Sequence, residues 1–584
     1  MITKSKKVDP ILLAVLDSRF NQITEEIGRV LIRTSRSPVF AEARDFGVAI
    51  FDKDLRLIAQ KEYIPVLAGA ISVSLENMVA AYKDDINEGD VFIHNNCYTG
   101  NTHLGDMDIA KPVFYQGELM FWCAVKGHMA DIGGKGIAGG DPTATNIGEE
   151  GLIIPVSKLY EKGRINRGVR DIILANNKLP EIVWGDITCE IGGVTVGERS
   201  FQELVKRYGA ETVYECIDEI LTASEREMRN KIRQIPDGVY YGEKSTDHDS
   251  ILRDKPVTAR VKVIKQDDEL TIDLSESDPQ VPGHLNSSWG CTVSICHLIV
   301  SYAIPGEVRR NHGAMRPIKI KTHKGTWVDA KYPAAVGKDT TTGAECIGEA
   351  LLLAFSKAIP FWAAAPHGKM VQYTARGFNP RTKRRWLDID FFMRCCPSGG
   401  TEGYDGWDLG GPLFELGEGR FPDLEIIELI KPVHILQYEQ EQDTEGSGKF
   451  RSGLGHVYKV QYLSDVDNGH LFGAGMRDFS TPSGLFGGNC PRPTTVVVHR
   501  TDGRMEKLDV HIFLKLLAGD IMEEHSMGGG GFGKPFERDV ERVRQDVKNG
   551  VVSIEKAEKD YGVVINPFTL KINIEATEEL RKGR

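Results

Sequence analysis

The stretch NCYTGNTHLGDMDIAKPVFYQGELMFWCAVKGHMADIGG, from Asn96 to Gly134, decides how the rest of the chain is read. Two β-prone runs, Ile109–Tyr115 and Leu119–Val125, flank Gln116-Gly117-Glu118, a short glycine-containing junction of the kind that closes a tight hairpin. Asp106 lies about ten residues before that turn and His128 about eleven after it, so antiparallel pairing brings the two ends side by side. His103 and Asp106 are then expected to face His128 and Asp131 across one gap. Two imidazoles with one or two carboxylates are borderline-hard ligands, suited to zinc, manganese or iron with room left for water or substrate. Each His-x-x-Asp taken alone is equally at home in a solvated turn. The pairing of two copies by one hairpin is what gives the pattern weight.

At 584 residues the chain exceeds one ordinary core. Hydrophobic content of 41%, charged content of 27% and 8% aromatics describe a globular protein with ample material for burial. The formal net charge of -11 argues against a nucleic-acid partner, and the densest basic run, Arg381-Thr382-Lys383-Arg384-Arg385, is short enough to be a solvated turn. The apolar segment Ile11–Leu16 behind Lys4, Lys6 and Lys7 is too short for a secretory leader, and no apolar run approaches the roughly 20 residues that span a bilayer. A cytoplasmic protein without a membrane partner is expected. The ten cysteines form no CxxC pair and read as reduced residues, with the vicinal Cys395-Cys396 taken as structural.

The fold class expected is mixed α/β (α+β) and multidomain, with a helical and β-hairpin N-terminal part and a Gly-rich, strand-rich C-terminal part. Asp9–Ser35 opens with Asp-Pro and carries apolar residues at helical spacing, and Glu198–Ile235 reads as two helices broken near Gly209. Glu42-Ala-Arg44-Asp45-Phe46 leads into two short strands, Val48–Phe51 and Leu57-Ile58. Composition shifts at Pro236, where Val257–Ile264 and Leu270–Leu274 form a further hairpin, and Ile295–Ile304 and Ile347–Phe355 read as buried helices. Glycine clusters then recur from Gly399 to Gly531, and Arg538–Gly550 and Ser553–Tyr561 are amphipathic helices. This divides the chain into residues 1–236, an α+β domain carrying the metal site; 237–535, β-rich and facing substrate or partner; and 536–584, a helical segment. No phosphate-binding glycine loop is present in the sequence, so no nucleotide site is assigned to this chain. His284, Asn286 and Trp289, in a Pro-Gly-rich loop, are candidates for a substrate pocket together with Arg44.

The ordered motifs resemble the B-type subunit of the hydantoinase/oxoprolinase family. They are Arg44-Asp45-Phe46 with Leu57-Ile58-Ala59-Gln60, Thr102-His103-Leu104-x-Asp106, and His128-x-x-Asp131-x-Gly133-Gly134. The later stretches Asp443-x-x-Gly446-x-Gly448-Lys449-Phe450-Arg451 and Gly528–Gly531 through Pro535, Glu537, Arg538 and Asp539 complete the likeness, with Asp546-Val547 and Asp560-Tyr561-Gly562 after them. The resemblance implies one divalent transition metal on His103, Asp106 and His128, with Asp131 and Asp108 as orienting or alternate carboxylates. It also implies an A-type partner subunit with an actin-like, ATP-Mg-binding fold that phosphorylates the substrate, in an (αβ)2 assembly. Ring opening of a small cyclic amide (hydantoin, 5-oxoproline or lactam) is the leading expectation, with Asp131 or Asp45 moving the proton. ATP-dependent carboxylation of a ketone is the alternative, and a subunit whose metal only staples the fold is the remaining one. Many hydantoinase-type members carry a second histidine after the one matching His128, where this chain has Met129.

Overall fold

The structure, a computed structural model, describes residues 8–582 apart from 138, 308, 395 and 417–422. The expected hairpin is its central feature. Strand Asp106–Tyr115 pairs antiparallel with Glu118–His128, and Gln116 (φ 53°) with Gly117 (φ 84°) closes a two-residue turn. Two consecutive left-handed residues give a turn whose twist matches that of the strands it joins, a conformation glycine tolerates without strain.

This hairpin is the middle of a seven-stranded sheet whose neighbours run Leu57–Glu62, Phe46–Asp52, Glu118–His128, Asp106–Tyr115, Val91–His94, Ser157–Glu161 and Arg164–Ile165. Both faces are covered. On one lies helix Pro10–Thr34, whose Leu16, Phe20, Ile23, Ile27 and Leu31 recur every three or four residues and are all buried. The Asp9 carboxylate accepts from the Ile11 N–H and caps this helix. Helix Pro180–Tyr208 packs beside it, with Phe201 stacked on Phe121 at 4.2 Å between ring centroids. Each such side chain contributes roughly 1.5–3 kcal/mol on burial. On the other face lies helix Pro65–Tyr82, with Ile71, Leu75 and Met78 packed on Phe51, Phe92 and Trp122. At 18 residues this helix is long and apolar enough to cross a bilayer, against the expectation that no run comes close; half of it is buried in the protein.

Helix Ala210–Ile232 follows the Gly209 break, and the chain then enters a four-stranded sheet (Gly238–Thr246, Val257–Gln266, Glu269–Asp273, Ile318–Lys321). Helices Trp289–Ala303 and Ala344–Ala358 bury one face of that sheet. The first begins earlier than its apolar run suggests, because the Ser288 hydroxyl accepts from the Cys291 N–H at 3.1 Å and caps it. Two further sheets share one core: Arg384–Ile389, Val371–Asn379, Val466–Gly473 and Ile512–Phe513; and Val433–Gln440, His456–Tyr462, Ile521–His525, Thr495–His499 and Met505–Lys507. The closing motif is structural at its centre: the buried Arg538 guanidinium reaches Asp405 and Asp546, each at 2.7 Å. Helices Val540–Lys548 and Ile554–Lys559 lie where amphipathic helices are expected, and a further helix, Ile574–Lys582, follows them. The nine described cysteines are free thiols, all buried except Cys490; Cys395 of the vicinal pair lies outside the described residues.

Candidate active site

Strand register builds the site. Asp106 and His128 are direct cross-strand partners at the open end of the hairpin. The neighbouring strand pairs Phe46 with Gly127, which carries Asp45 to the same end, where its carbonyl accepts the His128 N–H at 2.9 Å. His103 arrives on the turn that precedes the hairpin. The Asn101 side chain holds that turn, donating to the carbonyls of Asp106 at 2.7 Å and His103 at 3.3 Å.

The three side chains converge. Asp106 Oδ2 lies 2.9 Å from His103 Nδ1 and Oδ1 lies 3.0 Å from His128 Nδ1, while the two imidazoles stack at 4.9 Å. The Thr102 hydroxyl also donates to Asp106. One ligand atom from each of the three lies within 4.8 Å of the others. Burial alone would raise the Asp106 carboxyl, but the imidazoles beside it hold it well below the usual carboxylate range. Burial lowers the His103 pKa; at His128 it is outweighed by the Asp106 hydrogen bond and the nearby Asp45 charge, so that ring is raised. Burial raises the Asp45 carboxyl, a direction suited to accepting and returning a proton.

Beneath the site runs a buried polar network. Lys126 Nζ donates to Asp108 at 2.7 Å, to Ser74 at 3.2 Å and to Asn101, and Asp108 in turn lies 3.4 Å from His94 Nε2. Asp108 is thus a partner of Lys126, one layer behind the triad, and acts on the site through Asn101.

A cavity opens at the triad, lined on this side by Asp45, His103, Asp106 and His128 and across from it by Lys338, Thr340, Gln372, Arg394 and Phe472. The opposite wall comes from residues 337–341, 372–374, 389–394 and 472, far along the chain from the hairpin. Asp339–Gly343 forms a π-helical turn at the start of helix Ala344–Ala358, a local irregularity often found at functional positions. It brings Thr340 Oγ1 to 3.3 Å and Asp339 Oδ1 to 3.8 Å from His103 Nδ1. Glu150 pins the preceding loop, accepting the N–H groups of Val336 at 3.1 Å and Gly337 at 2.7 Å. A side chain at Gly337 would meet Glu150 Oε1 at 2.6 Å and the Gly139 carbonyl at 2.7 Å, so only glycine lets the two loops approach. Burial pushes Lys338 down to about 7 and Asp339 up to about 8.

Sequence reasoning missed this second wall. The signal available was the polar run Lys338-Asp339-Thr340-Thr341-Thr342 set between apolar segments. The other sequence-derived residues are dispersed. Asp131 is buried and turned onto Lys178, whose N–H reaches it at 2.5 Å, and it is not among the residues lining the cavity. Arg44 adopts φ 57° beside Asp45 and is half-buried, its Nε without a hydrogen-bond partner among the described residues. Asn286 directs its amide to the carbonyls of Val281, Gly283 and Ala335 at 2.9–3.0 Å, which fixes a loop and leaves no donor for a ligand. Trp289 is the first residue of its helix and half-buried, and His284 is buried with other histidines; neither lines the cavity.

Comparison with known proteins places these features in a family context. The family described as Hydantoinase B/oxoprolinase matches residues 9–535. The caprolactamase subunit beta of Pseudomonas jessenii is 34% identical over 565 residues, 96% of this chain and 97% of that protein. The crystal structure of the ATP-dependent caprolactamase from Pseudomonas jessenii matches with a TM-score of 0.91 and 32% identity, over 99% of this chain and 100% of that one. A nucleotide-free structure of acetone carboxylase matches with a TM-score of 0.90 over 98% of this chain and 83% of that one; at 19% identity the likeness is one of fold.

Proposed function

Because this chain belongs to the hydantoinase B/oxoprolinase family, we propose that it is the metal-carrying B-type subunit of an ATP-dependent cyclic-amide hydrolase, opening a lactam, hydantoin or 5-oxoproline ring that an A-type partner subunit has activated by phosphorylation. The observation that carries this reading is the convergence of His103, Asp106 and His128 at the mouth of a cavity that Asp45 also lines. The donor set fits one zinc, manganese or iron ion: two imidazoles, an anionic carboxylate and an open side facing the cavity. A divalent metal there supplies Lewis acidity toward a carbonyl oxygen or a water.

The chain's own residues supply the remainder. Of the two carboxylates the sequence offers for proton transfer, Asp45 is the one that faces the cavity, and it takes the proton of the attacking water. Lys338 and Arg394 on the far wall, the latter held by Glu415, orient the phosphorylated oxygen, an anion that favours the protonated form of Lys338. Asp131 holds the turn after His128 through Lys178. Phosphorylation itself, with ATP-Mg, belongs to the partner. Phosphorylation serves because an unstrained cyclic amide is a poor electrophile, and an imidate-like phosphate is a better one.

The test is reconstitution with the A-type partner. With ATP and a panel of caprolactam, hydantoin and 5-oxoproline, the complex is expected to release ADP and the ring-opened acid of at least one of them. An assembled, metal-loaded complex that opens none of the three would overturn the reading.

A further inference from the structure

Away from the triad, three more histidines meet in the interior. His284 lies on the loop before helix Trp289–Ala303, His470 on strand Val466–Gly473, and His511 directly before strand Ile512–Phe513. Their exposures are 0%, 0% and 1%. One ring nitrogen from each lies within 4.8 Å of the others, and His284 Nε2 stands 3.1 Å from His511 Nδ1. The two imidazoles share this contact as a hydrogen bond, and since two nitrogens bound at about 2.0–2.1 Å to one tetrahedral zinc lie roughly 3.3 Å apart, the pair needs little movement to hold an ion instead. His470 is the telling member: neither of its nitrogens has a hydrogen-bond partner among the described residues, and His511 Nε2 has none either. A buried imidazole with both nitrogens unpaired is costly, and an ion on one of them relieves part of that cost where no protein group does.

The surroundings exclude neighbours from the same role. His248, 5.4 Å from His511 between ring centroids, is turned to Asp509 at 3.5 Å and accepts the Ser250 N–H at 3.1 Å. Lys338 stands nearby, since its ammonium and His470 Nδ1 flank the same glycine, Gly140. His511 keeps its side chain aimed inward at a backbone φ of 55°, which an L-residue adopts rarely.

We propose that His284, His470 and His511 form a second divalent transition-metal site, of the three-imidazole kind that takes zinc or cobalt, separate from the His103–Asp106–His128 cluster. An ion there ties together three segments from distant parts of the sequence. It clamps the loop that carries His284 onto the sheet containing His470 and so stiffens the wall from which Lys338 faces the cavity. This site stands independently of the hydrolase reading.

Cobalt titration of the full-length, chelator-treated chain, followed by visible absorbance and elemental analysis, tests it. Two equivalents per chain are expected. The double variant His103→Ala/His128→Ala is expected to keep one, and addition of His470→Ala or His511→Gln to remove it. A double variant that binds no cobalt overturns the proposal. So does an equivalent that persists after either further substitution. Should the added variants fail to fold, the count in the double variant decides the matter alone. A wild-type chain that binds one equivalent, kept in full by the double variant, would leave this site standing and refute only the triad's.

Discussion

Asp106 and His128 are direct cross-strand partners, with 3.0 Å between Asp106 Oδ1 and His128 Nδ1. Two consequences follow from that pairing. The ligand geometry is set by the sheet register, and a one-residue slip would send the two side chains to opposite faces. The position of Asp45 is set by the same register one strand over.

Asp106→Asn keeps the shape of the side chain and removes its charge. The variant is expected to fold with unchanged circular dichroism and to lose its triad metal on dialysis, with activity in the reconstituted complex falling by at least about 100-fold. Elemental analysis beside the assay checks this; full metal retention would show that Asp106 is no ligand. The same variant separates catalysis from stapling, since a purely structural metal would cost stability when it left.

Asp45→Asn should leave metal content unchanged and lower kcat by about 10²–10⁴-fold, the range for loss of a positioned proton acceptor. The pH profile of the residual activity should lose its acidic limb. A change confined to KM would reassign Asp45 to substrate binding.

Lys126→Met leaves Asp108 buried without its cation. Breaking such a pair costs about 3–5 kcal/mol, read as a lowered midpoint in denaturant. Because Lys126 also holds Asn101, and Asn101 holds the turn that carries His103, metal affinity should drop by about 10–100-fold. Unchanged affinity would detach this network from the site.

Burial raises Glu150 to about 8. Unfolded, this carboxyl ionises near pH ~4.3, so between those values the folded chain keeps a proton that the unfolded chain releases. The contribution of this group is therefore greatest at the acidic end and declines as pH rises toward 8, by up to about 1.4 kcal/mol per unit. Glu345, raised to about 7 by burial, acts in the same direction. Asp106, held low, contributes only at lower pH and does not offset the trend. Below about pH 6.5 the buried His284, His470 and His511, lowered by burial, act in the opposite direction, so this contribution is read as the difference in thermal unfolding between the chain and Glu150→Gln, and that difference should grow from about pH 5 to 8. A slope equally steep in the variant would contradict the assignment.

How much of this was legible in the sequence depended on distance along the chain. The hairpin could be read because a two-residue turn and a period of two are local signals; counting residues outward from that turn put His103, Asp106, His128 and Asp131 at one end, and the family resemblance narrowed them to three. Asp45 was visible as part of Arg44-Asp45-Phe46. Lys338 and Arg394 were not, because they reach the cavity through packing between elements more than two hundred residues from the hairpin. Asn286 carried a misleading signal: a polar residue in a Pro-Gly-rich loop suggests a ligand contact, but here its amide satisfies the loop's own backbone. His284 was singled out as a substrate-pocket residue, whereas it is buried beside His470 and His511, and nothing in the spacing of those two announces that three segments bring them together.

The central claim is ring opening by water on a phosphorylated cyclic amide. The direct measurement is mass analysis of the product formed by the reconstituted complex from ATP and a cyclic amide in 18O-labelled water containing 13C-bicarbonate. The account predicts a ring-opened acid carrying 18O from water and no retained 13C. A product that gains carbon from bicarbonate would contradict it and assign the chain to a carboxylase.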